Sequence, residues 1–96
     1  MMVLITYDVN TETAEGRSRL RRIAKECVNY GQRVQNSVFE CCVAPLDFRK
    51  LKDNLEKIAD KEKDSIRYYF LGKKWENRIE HYGKDEVYNP EGPLII

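Results

Sequence analysis

The chain lacks a long apolar run, a paired-cysteine motif, a glycine-rich loop and any appreciable net charge, and it has one histidine. Each shortage excludes something. No stretch approaches the ~18–20 uninterrupted apolar residues that a membrane-spanning helix needs. The opening residues, Met1-Met2-Val3-Leu4-Ile5-Thr6-Tyr7-Asp8, carry neither a basic leader nor a small-residue cleavage site, so they read as the start of structure and not as a signal peptide. Cys27, Cys41 and Cys42 are odd in number and form no CxxC or Cys/His cluster, which argues against a disulfide framework and a zinc site. They read as reduced, small apolar residues of a cytoplasmic protein. Gly16 stands alone, so NTP hydrolysis has no support. His81 has no Ser or Cys partner in a recognisable setting and reads as a polar strand residue, not a general base. Seventeen Lys and Arg against sixteen Asp and Glu leave +1. Any nucleic-acid role must therefore come from a local patch.

Ninety-six residues make one domain, and 42% hydrophobic with 34% charged residues suit a globular fold with a single core. Residues 2–9 read as a strand, because Val3-Leu4-Ile5 is continuously apolar and largely β-branched. Asn10-Thr11-Glu12-Thr13 is rich in helix N-cap residues. A helix is predicted from Ala14 or Gly16 to Tyr30, with Leu20, Ile23, Ala24, Cys27 and Val28 as its apolar stripe and Gly31 as its stop. Residues 33–43 read as one long strand with mixed faces. Pro45 opens a second helix, whose stripe is Phe48, Leu51, Leu55, Ile58 and Ala59. Residues 65–71 form a third strand and 78–82 a short one. Asn89-Pro90-Glu91-Gly92-Pro93 is turn chemistry, and Leu94-Ile95-Ile96 follows as an apolar tail. The order is that of an α+β, ferredoxin-like βαββαβ antiparallel sheet with two helices on one face, provided that a hairpin follows the first helix or a late fourth strand completes it. The other face is then bare. Tyr7, Phe39 and the aromatics of the third strand are expected to make it partly apolar, as in a dimer interface or a nucleic-acid platform.

Two features carry possible chemistry. Asp8 closes a buried strand where a loop begins, and its carboxylate is a hard oxygen ligand suited to Mg²⁺ or Mn²⁺; the same residue also suits a turn that caps the loop. A single aspartate cannot hold a catalytic ion, but a two-fold dimer would bring two copies of Asp8 to one axis. Second, Arg17-Ser18-Arg19-Leu20-Arg21-Arg22-Ile23-Ala24-Lys25 holds five bases and no acid. It suits phosphate contacts as well as a solvated helix face.

Leu4-Ile5-Thr6-Tyr7-Asp8-Val9, the arginine-rich helix behind it, Tyr30-Gly31-Gln32-Arg33-Val34-Gln35-Asn36-Ser37-Val38-Phe39-Glu40-Cys41 and Asp64-Ser65-Ile66-Arg67-Tyr68-Tyr69 together resemble the CRISPR-associated protein 2 family along the whole chain. The resemblance implies a ferredoxin-like homodimer, residues 1–82 forming the core and 83–96 a dimerisation segment whose strand pairs with the partner subunit. It implies a metal-dependent endonuclease with Asp8 as metal ligand and Tyr7 and Phe39 in the catalytic site. Arg17, Arg19, Arg21, Arg22 and Arg33 would contact nucleic acid, and Mg²⁺ or Mn²⁺ would be the cofactor. Double-stranded DNA or single-stranded RNA would be the substrate, and dimers of CRISPR-associated protein 1, the spacer integrase, would be the partner, with no membrane involved. Two other roles stay open: a non-catalytic DNA-binding scaffold bridging integrase dimers, and a toxin-like RNA interferase.

Overall fold

A computed structural model describes residues 1–71 and 78–84, the side chains of Arg78 and Ile79 excepted. The elements run β1 (Met2–Asp8), α1 (Ala14–Val28), β2 (Gly31–Gln35), β3 (Val38–Cys42), α2 (Pro45–Ile58), β4 (Ser65–Leu71) and β5 (Arg78–Gly83). The strands form one sheet in the order β2-β3-β1-β4-β5, antiparallel throughout. The first four strands and two helices are the ferredoxin-like unit, and β5 extends it beside β4. The expected 83–96 dimerisation segment lies outside the described residues from residue 85 onward.

The period of two along β1 divides the molecule. Val3, Ile5 and Tyr7 are buried and meet Phe39 and Cys41 of β3, Ile66 and Tyr68 of β4, Ile23 and Cys27 of α1, and Phe48, Leu51 and Leu55 of α2. Both helices therefore cover one face. Phe48 adds edge-on ring contacts to Tyr68 at 5.5 Å and to Phe70 at 5.2 Å between centroids, a geometry favoured by the ring quadrupole. The other face takes Leu4, Thr6 and Asp8 from β1 with Tyr69, Arg67 and Ser65 opposite them on β4.

Three expectations change. Residues 33–43 are not one strand but a hairpin turning at Asn36 and Ser37, with a register shift between Arg33 and Gln35; the turn resets the alternation and explains the mixed faces. Gly31 does not cap α1. The C-cap is Asn29 in right-handed helical conformation, and Gly31 lies in β2, where a Cβ would collide with Cys41 Sγ and the Glu40 carbonyl. Third, Tyr7 and Phe39 do not paper the open face, because both point into the helix-covered core. The cysteines are free, and Cys27 and Cys41 are buried, but Cys42 is exposed. Burial pushes the Cys27 thiol up to about 12 and the Cys41 thiol to about 11, so both stay protonated packing groups. No helix among the described residues is long and apolar enough to cross a membrane.

One buried ion pair ties the loops at one end of the sheet together. The Asp64 side chain, with no exposed surface, accepts from Arg19 Nε at 2.7 Å and from Arg19 Nη2 at 3.2 Å. It also accepts from the backbone N–H groups of Asn10 at 3.1 Å and Asp60 at 2.8 Å. Its backbone carbonyl accepts from Lys84 N at 2.7 Å. Burial alone would raise the Asp64 pKa; Arg19 and the two backbone donors outweigh it and hold the carboxyl below its ordinary value. The folded pKa thus lies below the unfolded one. The resulting stability is complete above the unfolded value of about 4 and is lost as pH falls through the folded value.

Asp64→Asn is expected to cost about 3 kcal/mol at pH 7, because it strands Arg19 and the network around it. In urea melts across pH it should also flatten the loss of stability below about pH 4. An acid limb unchanged from wild type would show that Asp64 does not carry it. Gly83 has φ 105°, and a Cβ there would run into the Asp64 carbonyl. Gly83→Ala should lower the urea midpoint by an amount equivalent to more than about 1 kcal/mol.

Candidate active site

Asp8 ends β1 on the open face. It is exposed, and its carboxylate has no hydrogen-bond or ion-pair partner among the described residues. Directly opposite on β4 is Ser65, and the partner of Ser65 on β5 is Gly83. Directly opposed residues on an antiparallel pair hold their Cβ atoms ~4.5–5.5 Å apart. Glycine leaves the place opposite Ser65 without a side chain. The neighbouring same-face residue of β5, His81, reaches Ser65 diagonally, with Nε2 2.9 Å from Ser65 Oγ. The imidazole tautomer sets the direction of that bond: Nε2–H donates to the hydroxyl, or the hydroxyl donates to a bare Nε2. Arg67, between Thr6 and His81 in register, completes the row. Carboxylate, hydroxyl, imidazole and guanidinium thus stand on adjacent strands of one face.

Tyr7 and Phe39 lie on the opposite face. Tyr7 is 5% exposed and Phe39 not at all. Their rings stack with centroids 6.1 Å apart, and the guanidinium of Arg33 sits 5.1 Å over the Phe39 ring. The Tyr7 hydroxyl donates to the Asn36 carbonyl at 3.2 Å. Burial raises the Tyr7 phenol, with Arg33 opposing. This group pins the β2–β3 turn to the core. The structure does not bring Tyr7 and Phe39 onto the face of Asp8: adjacent strand residues point to opposite sides.

The five bases of α1 divide as well. Arg19 is 13% exposed at its side chain and uses its fork on Asp64, so it is a structural anchor. Arg17 donates to the Thr11 carbonyl at 3.2 Å and so borders the loop after Asp8. Arg21, Arg22 and Lys25 are exposed on a helix that packs on the far side of the sheet from Asp8. No cluster of three or more His, Cys, Asp or Glu able to hold a metal occurs among the described residues. Asp8 suits a hard divalent ion by its donor chemistry and exposure, but one chain supplies one such carboxylate.

Sequence reasoning missed the Ser65–His81 pair. The contact joins residues sixteen apart on a diagonal between β4 and β5, so it needs the hairpin register, which no local periodicity encodes.

The same chain length and strand pattern recur in known proteins. A CRISPR-associated endoribonuclease Cas2 of Chlorobaculum tepidum is 58% identical over 96 residues, covering 100% of both chains. A CRISPR-associated endonuclease Cas2 of Halalkalibacterium halodurans is 52% identical, again over 100% of both. The crystal structure of Streptococcus pyogenes Cas2 at pH 6.5 superposes with a TM-score of 0.71 and 65% identity, over 78% of this chain and 90% of that one. The family model for CRISPR associated protein Cas2 matches residues 1–79, which spans the sheet core, the hairpin and both helices, and the chain belongs to that family.

Proposed function

We propose that the chain is a divalent-metal-dependent endonuclease that hydrolyses phosphodiester bonds and takes part in acquiring new CRISPR spacers. The observation that carries this reading is Asp8, an exposed carboxylate without a partner among the described residues, at the end of β1 on a face that no helix covers. The relatives named endoribonuclease and endonuclease support the reaction class. Mg²⁺ or Mn²⁺ would be held by Asp8, and a homodimer would supply a second Asp8 across its two-fold axis. When bound, such an ion neutralises charge on the phosphoryl oxygens. Arg17, beside the Asp8 loop, orients the nucleic-acid backbone. Phosphate contacts of this kind do not distinguish double-stranded DNA from single-stranded RNA.

A second reading, a DNA-binding scaffold that bridges dimers of CRISPR-associated protein 1, is favoured by one observation. The exposed Arg21, Arg22 and Lys25 form a basic surface on the side of the sheet away from Asp8, so binding and cleavage can be separated.

Purified wild type should cut single-stranded RNA or plasmid DNA with Mg²⁺ and stop on EDTA addition. Asp8→Ala should fall by about 100-fold or more, because several kcal/mol of charge stabilisation is lost. Equal cutting by both proteins would mean a contaminating nuclease and end the catalytic reading. Arg22→Ala should weaken nucleic-acid binding across sequences and reduce the salt slope by about 1. Spacer acquisition that survives Asp8→Ala but not Arg22→Glu would favour the scaffold.

A further inference from the structure

We propose that His81 is a proton-accepting catalytic residue of the Asp8 site and that Ser65 is its positioning residue. This rests on the nuclease reading above and adds to it the group that takes the proton.

The geometry carries the inference. His81 is exposed, so a solvent-borne phosphodiester can reach it. Its ring is nevertheless held, because Nε2 lies 2.9 Å from the hydroxyl of Ser65, itself a buried residue. Ser65 stands directly opposite Asp8, which sets the imidazole one cross-strand step beyond the carboxylate on the same face. The end of β5 just beyond His81 is fixed to the start of β4, because Lys84 N donates to the Asp64 carbonyl at 2.7 Å. In the tautomer whose Nε2–H donates to Ser65 Oγ, Nδ1 keeps its lone pair for an incoming proton. The charged residues around His81 in register on the same face are Asp8 of β1 and Arg67 of β4. Glu56 and Lys52 of α2 lie on the other side of the sheet, against Tyr68 and Glu80.

The step balances as follows. A water oxygen forms a bond to phosphorus while the phosphorus bond to the leaving sugar oxygen breaks with its electron pair. Nδ1 takes the proton from the attacking water, and the leaving oxygen takes one from solvent. The imidazolium then returns its proton to solvent. The net reaction is addition of one water across one phosphodiester.

The chain has a single histidine, so the test reads it directly. His81→Ala should lose about 100-fold in kcat, and imidazole added to the buffer should restore part of it. Wild-type rate should fall on the acid side as the ring protonates, and His81→Gln, which keeps a polar group near Ser65 but cannot titrate, should lose that limb. Ser65→Ala should lower kcat with KM little changed. In NMR, the His81 ring signals should shift when a phosphorothioate oligonucleotide that resists cleavage is added. Full activity of His81→Ala, or an acid limb unchanged in His81→Gln, with Asp8→Ala inactive, would overturn the role of His81 and leave the nuclease reading standing. Asp8→Ala as active as wild type would instead end the nuclease reading itself.

Discussion

The carboxylate of Asp64 is the point on which this end of the molecule depends. It is a fully buried charge, which is tolerable only because four donors converge on it: two from Arg19 and one each from Asn10 and Asp60. Those donors come from α1, from the loop after β1 and from the loop after α2. One ionised group therefore fixes how the first helix leaves the first strand and how the chain re-enters the sheet at β4. A buried charge is weak evidence of net stability but strong evidence of specificity here, since an alternative loop arrangement would leave it unpaired.

The candidate site is assembled around that anchor without including it. Asp8 precedes the loop that Asp64 holds through Asn10, and Ser65 is the residue after Asp64. Gly83 and Lys84 close against the Asp64 carbonyl, placing His81 two residues earlier on β5. Burial and reactivity are thus divided between neighbours in sequence. Asp64 points inward and is held ionised, while Ser65 points to the open face. Strand alternation makes the same division at Tyr7 and Asp8, one a packing residue of the core and the other the exposed carboxylate.

Element types were largely legible from periodicity, because they depend on local alternation and 3.6-residue stripes: β1, both helices, β4 and β5 lie close to where the pattern puts them. The β2–β3 hairpin was not, because Asn36-Ser37 lacks the glycine of the commonest two-residue turns and the flanking residues read through it as one strand. Asp8 was legible from its position at the end of an apolar run. Arg19 was not distinguishable from its basic neighbours, since nothing local shows that its partner is forty-five residues away. Catalytic roles for Tyr7 and Phe39 are implied by motif resemblance alone, and the fold separates both side chains from Asp8 by side of the sheet. Ser65 and His81 needed the register.

Among the described residues the sheet order places β1 in the middle and β5 on its outside. Central strands exchange their amide hydrogens mainly through global unfolding, whereas an outer strand frays on its own at much lower free energy. Asp8 and His81 therefore belong to parts of the molecule with different local stability. Warming or mild denaturant should therefore release His81 from Ser65 while the core around β1 is still intact.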